Sequence, residues 1–276
     1  MAGSVRVTQL NVYPVKSCAG TPLEEAEIGW RGIARDREYM VVDDDGQFLT
    51  QREVPRLALI RPTLREGGVS LSAPGLSALE IEIRDHDRRL VRVWRDRVVA
   101  ADQGAEAAEW LSTFLHARCR LVRLPHDVVR SVDPIYGQPT DQVSFADGYP
   151  VLLISEESLE DLNSRLAQPL PMNRFRPNVV VRGWGAPYGE DEWAEVRIGD
   201  DVRLSVVKAC ARCAITTTDQ STAERGLEPL RTLATYRLVE RGVLFGQNLI
   251  PRSTGTVAIG NAVVMECGAQ RATSSA

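Results

Sequence analysis

The sequence predicts a mainly β protein of the α+β class, arranged as two β-rich parts with a few helices. Three observations carry this reading. Short runs of alternating apolar residues separated by turn formers fill the first 100 positions, only two stretches show a clear helical period, and strand-turn-strand patterns return near the C-terminus. At 276 residues and 43% hydrophobic, the chain can bury a substantial core.

The first part is read as residues 1–124. Its runs VRVTQLNVYPV, REYMVVDDDGQFLTQ, ALIRPTL, VSLSA, LEIEI and LVRVWRDRVV read as strands of a small antiparallel barrel or sandwich, with Asp45-Gly46 as a hairpin turn. In AEAAEWLSTFLH, the residues Ala107, Ala108, Leu111, Phe114 and Leu115 share one face, which predicts a core-facing helix. Residues 125–147 are polar, turn-rich and without period, so a boundary or long loop is expected there. The second part is read as residues 125–268. Pro150–Ile154 reads as a buried strand, and Ser155 as the N-cap of SEESLEDLNSRL, with Glu156 and Glu157 in its positive first turn and Leu159, Leu162 and Leu166 on its buried side. Pro177 is expected to hold Arg176 extended before the strand VVVRG. RIGDDVRLSV at 197–206 and AIGNAVVMEC at 258–267 each read as strand, glycine turn, strand, and 269–276 reads as a disordered tail.

Thirty-three Lys and Arg against 37 Asp and Glu give a net charge of −4, so no basic field attracts nucleic acid or an acidic membrane surface. Any anion must be bound locally. No stretch approaches the roughly 18 continuous apolar residues of a spanning helix, and the N-terminus lacks a secretory pattern, so a soluble, cytoplasmic protein with no membrane partner is expected. The five cysteines, Cys18, Cys119, Cys210, Cys213 and Cys267, are an odd number that suits reduced thiols. Neither a G-x-G-x-x-G between strand and helix nor a four-cysteine cluster spacing occurs, so electrons for any redox chemistry must come from another protein.

Only two cations are lysines, Lys16 and Lys208, and each stands two places before a cysteine. Chance is one account. The other is that a compact ammonium suits a phosphate oxygen where a planar guanidinium would not fit. Cys210-Ala211-Arg212-Cys213 has four readings: half of a zinc site, a thioredoxin-like dithiol, a soft thiolate ligand to a redox metal or cofactor, and two packed small thiols. Zinc lacks a second C-x-x-C, and His86, His116 and His126 show no paired spacing. A dithiol motif would open a helix, whereas residues 214–218, AITTT, read as strand. Lys16 and Ser17 at a strand end, Arg35 and Arg37 about Asp36, and Arg176 offer donors to an anion.

The segments YPVKSCAG, RDREYMVVDDDGQFLTQREVPRLALI, PVLLISEESLEDLNSRLAQPLPMNRFRPNVVV, KACARCAITTTD and PLRTLATYR resemble the MOSC proteins, and most closely the family of the mitochondrial amidoxime reducing component and its bacterial relatives. The likeness runs, with gaps, from about residue 5 to residue 266. It implies a MOSC N-terminal β-barrel region followed by a β-barrel-like MOSC domain. It also implies a molybdenum cofactor, Mo-molybdopterin, anchored by its phosphate. Carried over residue by residue, Cys213 of the C-x-R-C motif would be the metal ligand and the catalytic residue. Lys16 and Ser17 of YPVKS, Arg37 of RDR and Arg176 of FRPN would join it in binding the cofactor. The implied reaction is reduction of small N-hydroxylated substrates, such as hydroxylamines, amidoximes and N-hydroxylated bases, with electrons from an external electron-transfer protein and a flavin reductase. Two rivals use the same scaffold: a sulfur carrier with a persulfide on Cys213, and a carrier that hands the cofactor to another enzyme. The N-terminal targeting and membrane segment of the mitochondrial members is not seen, nor is the four-cysteine ferredoxin domain of some bacterial ones. Asp219 and the run Glu190-Asp191-Glu192 are the nearby acids, read as solvated loop or cap residues rather than proton donors.

Overall fold

A computed structural model describes residues 4–240 and 242–267, so the tail expected at 269–276 lies outside the described residues. The chain is mainly β, as expected. Its largest sheet runs, in spatial order, Val263–Cys267, Trp193–Ile198, Val202–Ala211, Gly242–Pro251, Val151–Ser155, Val179–Arg182, Arg6–Val12 and Thr21–Leu23. One pair in it, Val151–Ser155 beside Val179–Arg182, is parallel. A parallel pair needs a crossover, and the helix Glu156–Ser164 lies within it. The strand-turn-strand patterns read at 197–206 and 258–267 imply antiparallel neighbours, so this parallel pair is a departure from them. Ser155 does cap the helix, its hydroxyl accepting the Ser158 amide at 3.2 Å, and Leu162 is fully buried.

Two contacts tie the ends of the chain together. Arg6–Val12 pairs with Val179–Arg182, and Glu25–Gly29 pairs with Gly255–Ala258. A four-stranded sheet of Tyr39–Val42, Arg120–Arg123, Asp96–Asp102 and Arg88–Val93 and a three-stranded one of Arg61–Arg65, Gly68–Ala73 and Leu76–Glu82 complete the first part. The helix Ala105–Leu115 packs its whole expected stripe inward: Ala107, Ala108, Leu111, Phe114 and Leu115 are all buried. Leu10, Ile28, Leu57, Ile60 and Leu71 are fully enclosed, and each stabilises the fold by about 1.5–3 kcal/mol.

Turn chemistry holds at Asp45-Gly46: Gly46 has φ +78°, and the Asp43 amide donates to the Gln47 carbonyl at 2.9 Å. The 197–206 stretch is a true hairpin, with Gly199 at φ +62° and Ile198 opposite Val202. Its echo at 258–267 is not one. Gly255–Ala258 pairs with Glu25–Gly29, while Val263–Cys267 pairs with Trp193–Ile198, so the two strands part to different sheets.

Two further expectations fail locally. Residues Ala214–Thr217 form a 3-10 turn instead of a strand. The hydroxyls of Thr216 and Thr217 donate to the Cys213 and Ala214 carbonyls at 3.0 and 2.8 Å, and such local bonds compete with a strand ladder. Arg176, expected to be extended ahead of Pro177, has φ +58°. The proline disfavours only the right-handed helical region, and the site takes the left-handed alternative. Segment 125–147 is largely irregular, with one bridge between Ser131 and Gln142, and Arg130 ties it down by donating to the Ser144 and Ala146 carbonyls at 2.8 and 2.6 Å.

Candidate functional site

Lys16, Ser17, Arg37, Arg176 and Cys213 come from four separate stretches of the chain, yet all five line one cleft of about 750 Å³ including its mouth. The fold explains the convergence. Lys16 and Ser17 follow the first strand; Arg176 precedes Val179–Arg182, the neighbour of that strand; and Cys213 follows the end of Val202–Ala211. Three of the five, Ser17, Arg37 and Arg176, have positive φ, at 65°, 47° and 58°. Non-glycine residues hold such conformations at a cost of roughly 1 kcal/mol or more each, and they cluster at ligand sites.

Lys16 is buried, and its ammonium donates to the Phe145 carbonyl at 2.8 Å and pairs with Asp147. With two of three donors taken, one is left for the cleft. Burial pulls the Lys16 ammonium below its ordinary range, while Asp147 opposes the shift. Burial alone would raise the Asp147 carboxyl; the Lys16 ammonium, with Arg52 and the Trp94 indole N–H, brings it well below the usual carboxylate range.

Arg37 is fixed by Asp36, whose Oδ2 accepts Nη1 at 2.5 Å, and by Asn178 Oδ1 at 3.0 Å. Asp36 is itself buried and accepts the Tyr13 amide at 2.8 Å. Arg176 is freer. Among the described residues its guanidinium makes one hydrogen bond, from Nη1 to the Cys18 carbonyl at 2.6 Å, while its own carbonyl accepts Arg37 Nη2 at 3.3 Å. Both guanidiniums lie over the Tyr13 ring, at 4.2 and 4.4 Å. Burial, and then Arg37, pull Arg176 from its ordinary 12.5 to about 10. An unsatisfied, desolvated fork beside a second cation is a site for an anion. Arg35 is different: Glu38, Tyr39 and the Arg65 and Gly68 carbonyls take its whole fork, so it holds the fold.

On the facing wall the strand Val202–Ala211 is irregular twice, between Val206 and Lys208 and between Ala209 and Ala211. Bulges re-aim side chains. Cys210 and Cys213 both border the cleft, half-buried and unpaired as thiols. Arg212 Nη1 donates to Cys210 Sγ at 3.0 Å and Nη2 to the Phe175 carbonyl at 2.6 Å, which ties the cysteine wall to the Arg176 loop, while its buried Nε has no partner. Among the described residues no three His, Cys, Asp or Glu side chains converge on one point. A metal at Cys213 would therefore take most of its ligands from outside the chain. One soft sulfur facing several unspent cationic donors fits a cofactor that brings both metal ligands and an anionic group.

Sequence reasoning had no signal for Asp147, which lies in a segment read as loop, nor for Asn178, whose Oδ1 also accepts the Leu152 amide at 3.2 Å. Asp219 caps its own turn, accepting from Ser221, and pairs with Arg174 at 2.7 Å. Glu190 is not solvated: it is buried against the Ser155 and Ser158 hydroxyls, away from the cleft. Lys208 lies outside the first cleft, its ammonium 4.5 Å above the Tyr136 ring. No helix among the described residues is long and apolar enough to cross a membrane.

Two family models match the chain. A family model for the MOSC N-terminal beta barrel domain matches residues 4–118, and one for the MOSC domain matches residues 140–264. Mitochondrial amidoxime-reducing component 1 of Mus musculus is 39% identical over 94% of this chain and 82% of its own length, and the Homo sapiens protein of that name has the same values. Mitochondrial amidoxime reducing component 2 of Rattus norvegicus is 36% identical over 93% of this chain. The chain therefore belongs to the family of MOSC-domain proteins that includes the mitochondrial amidoxime-reducing components.

Proposed function

We propose that this protein is a molybdenum-cofactor-dependent reductase of N-hydroxylated compounds, supplied with electrons by a separate protein. The observation that carries the reading is the convergence of Cys213 with Lys16, Ser17, Arg37 and Arg176 on one cleft, with the Arg176 fork nearly unspent. The amidoxime-reducing names of relatives 39% identical over most of the chain agree with it. When bound, the cofactor would supply the two-electron chemistry by which an N–OH group, with two electrons and two protons, gives N–H and water.

The chain's own residues do the rest. Lys16, Arg37 and Arg176 neutralise the cofactor's anionic end, and Ser17, in its left-handed conformation, adds a hydroxyl. Cys213 offers the soft ligand. Arg212 keeps the cysteine segment at a fixed distance from the Arg176 loop through its bonds to Cys210 Sγ and the Phe175 carbonyl. Phe175, Leu152 and Ile215 give the cleft an apolar wall that limits water. Asp147, held ionised by Lys16 and Arg52, fixes the Lys16 ammonium rather than releasing a proton.

Metal and pterin analysis of protein made in a cofactor-competent host tests the reading, together with turnover of an amidoxime by reduced dye. About one molybdenum per chain and many turnovers are expected. Labelled sulfur on Cys213 without metal would favour a sulfur carrier, and a cofactor released once to an apoenzyme would favour a delivery protein.

A further inference from the structure

Beside the candidate cofactor cleft lies a second cleft that shares with it the wall Asp147, Gly148 and Tyr149. It is bordered by the hairpin end at Trp94–Val98, by residues 129–134 and by Lys208. Its charges are unevenly spent. Asp96 is taken by Arg130, whose Nε donates to it at 2.7 Å, and Asp147 is taken by Lys16 and Arg52. Asp133 accepts the Ile135 amide at 3.0 Å and has no cation partner among the described residues. Against it stand three cations, Arg95, Arg97 and Lys208, whose side chains make no hydrogen bond or ion pair among the described residues; the Lys208 ammonium rests on aromatic rings, 4.5 Å from Tyr136 and 5.9 Å from Tyr149. Arg97 also borders a shallow groove with Asp43 and Asp45, without pairing to either.

This imbalance is local. The chain carries −4 overall, and its other arginines are largely tied to carboxylates or carbonyls. A surplus of unpaired cations in a concave site adjoining a reaction centre favours an anionic ligand there, through charge-assisted hydrogen bonds. The two lysines of the chain thus serve two adjoining clefts, Lys16 the first and Lys208 the second.

We propose that the second cleft binds the anionic arm, carboxylate or phosphate, of an N-hydroxylated substrate whose N–OH end reaches the first cleft across the shared wall. The proposal rests on the reductase reading for the identity of the reacting group, and on the cation surplus alone for the anion.

Two measurements test it and separate its failure from that of the reductase reading. In the first, metal-loaded protein with reduced dye turns over an aryl amidoxime and the same amidoxime bearing a para-carboxylate. kcat/KM is expected to favour the carboxylate by about tenfold, corresponding to about 1.4 kcal/mol. The preference should fall below about twofold in the Arg95→Gln/Arg97→Gln double variant, both positions being exposed, and in about 0.5 M salt. A para-phosphate arm compared with the para-carboxylate tells which anion is preferred. Equal values for the neutral and charged substrates, or a preference that survives the double variant, overturn the proposal. In the second, calorimetry on the full chain compares para-carbamoylbenzoate with benzamide. Tighter binding of the carboxylate, lost in the double variant, supports the anion cleft even if the neutral amidoxime is never reduced, an outcome that would instead sink the reductase reading. Equal binding of the two probes overturns it.

Discussion

Replacing Arg176 by methionine separates binding from folding. In the folded chain burial, and next the Arg37 charge, lower this guanidinium from 12.5 to about 10, so keeping it charged near neutral pH costs about 3 kcal/mol. The sign follows from linkage: a basic group with a depressed folded value destabilises the fold at every pH below that value, and the penalty fades only as the pH rises through 10 towards 12.5. Methionine keeps an unbranched stem and removes the charge. What is lost is the 2.6 Å bond to the Cys18 carbonyl and the contact with the Tyr13 ring, about 1 kcal/mol each. The cofactor-free variant should therefore be about 1 kcal/mol more stable than the parent, raising Tm by about 2–4 °C. Inorganic phosphate should raise the Tm of the parent and leave that of the variant unmoved. Thermal unfolding of protein from a host lacking the cofactor, with and without phosphate, reads both effects. A variant destabilised by more than about 2 kcal/mol would show that Arg176 is a structural strut and refute the reasoning.

The two cysteines should separate in the same way: Cys213→Ser abolishes amidoxime reduction and lowers molybdenum content, whereas Cys210→Ser, whose thiol meets Arg212 and, at 3.9 Å, the Ala211 carbonyl, keeps much of both; equal loss would point to a dithiol. Glu38→Gln removes the charge that the enclosed Arg123 meets through Nη2 at 2.5 Å while Asp85 still meets Nη1 at 2.7 Å, and should cost about 2 kcal/mol in denaturant unfolding, with an unchanged midpoint counting against a buried pair. The Ser221 hydroxyl and amide hold the Asp219 carboxyl down to about 2, so its stabilisation is complete above about pH 4 and is lost as the pH falls through 2. Asp219→Asn should flatten the acid limb of Tm against pH between those values, and a parallel curve would discount the cap. Finally, the purified chain mixed with NADH and a hydroxylamine should stay silent, and turn over once a reduced dye or a flavin reductase with a carrier is added; sustained turnover with NADH alone would end the partner requirement.

The sequence by itself determined the features that depend on near neighbours. The apolar stripe of Ala105–Leu115, the Ser155 cap and the Asp45-Gly46 turn are legible because each rests on residues within one or two turns of the chain. The five candidate site residues were legible through motif resemblance, since residue identity survives in a sequence while its direction in space does not. Tertiary structure decided the rest. Arg35 and Arg37 stand two residues apart around one aspartate, yet Arg35 is spent on strand carbonyls and Arg37 faces the cleft, because strand pairing placed those carbonyls where they are. Arg176 is left-handed where its proline alone suggested extension, and Asp147 meets Lys16 across 131 positions of chain. Lys208 and Cys210 face different clefts because the strand between them slips its register, and a register slip depends on the partner strand, which no local pattern encodes.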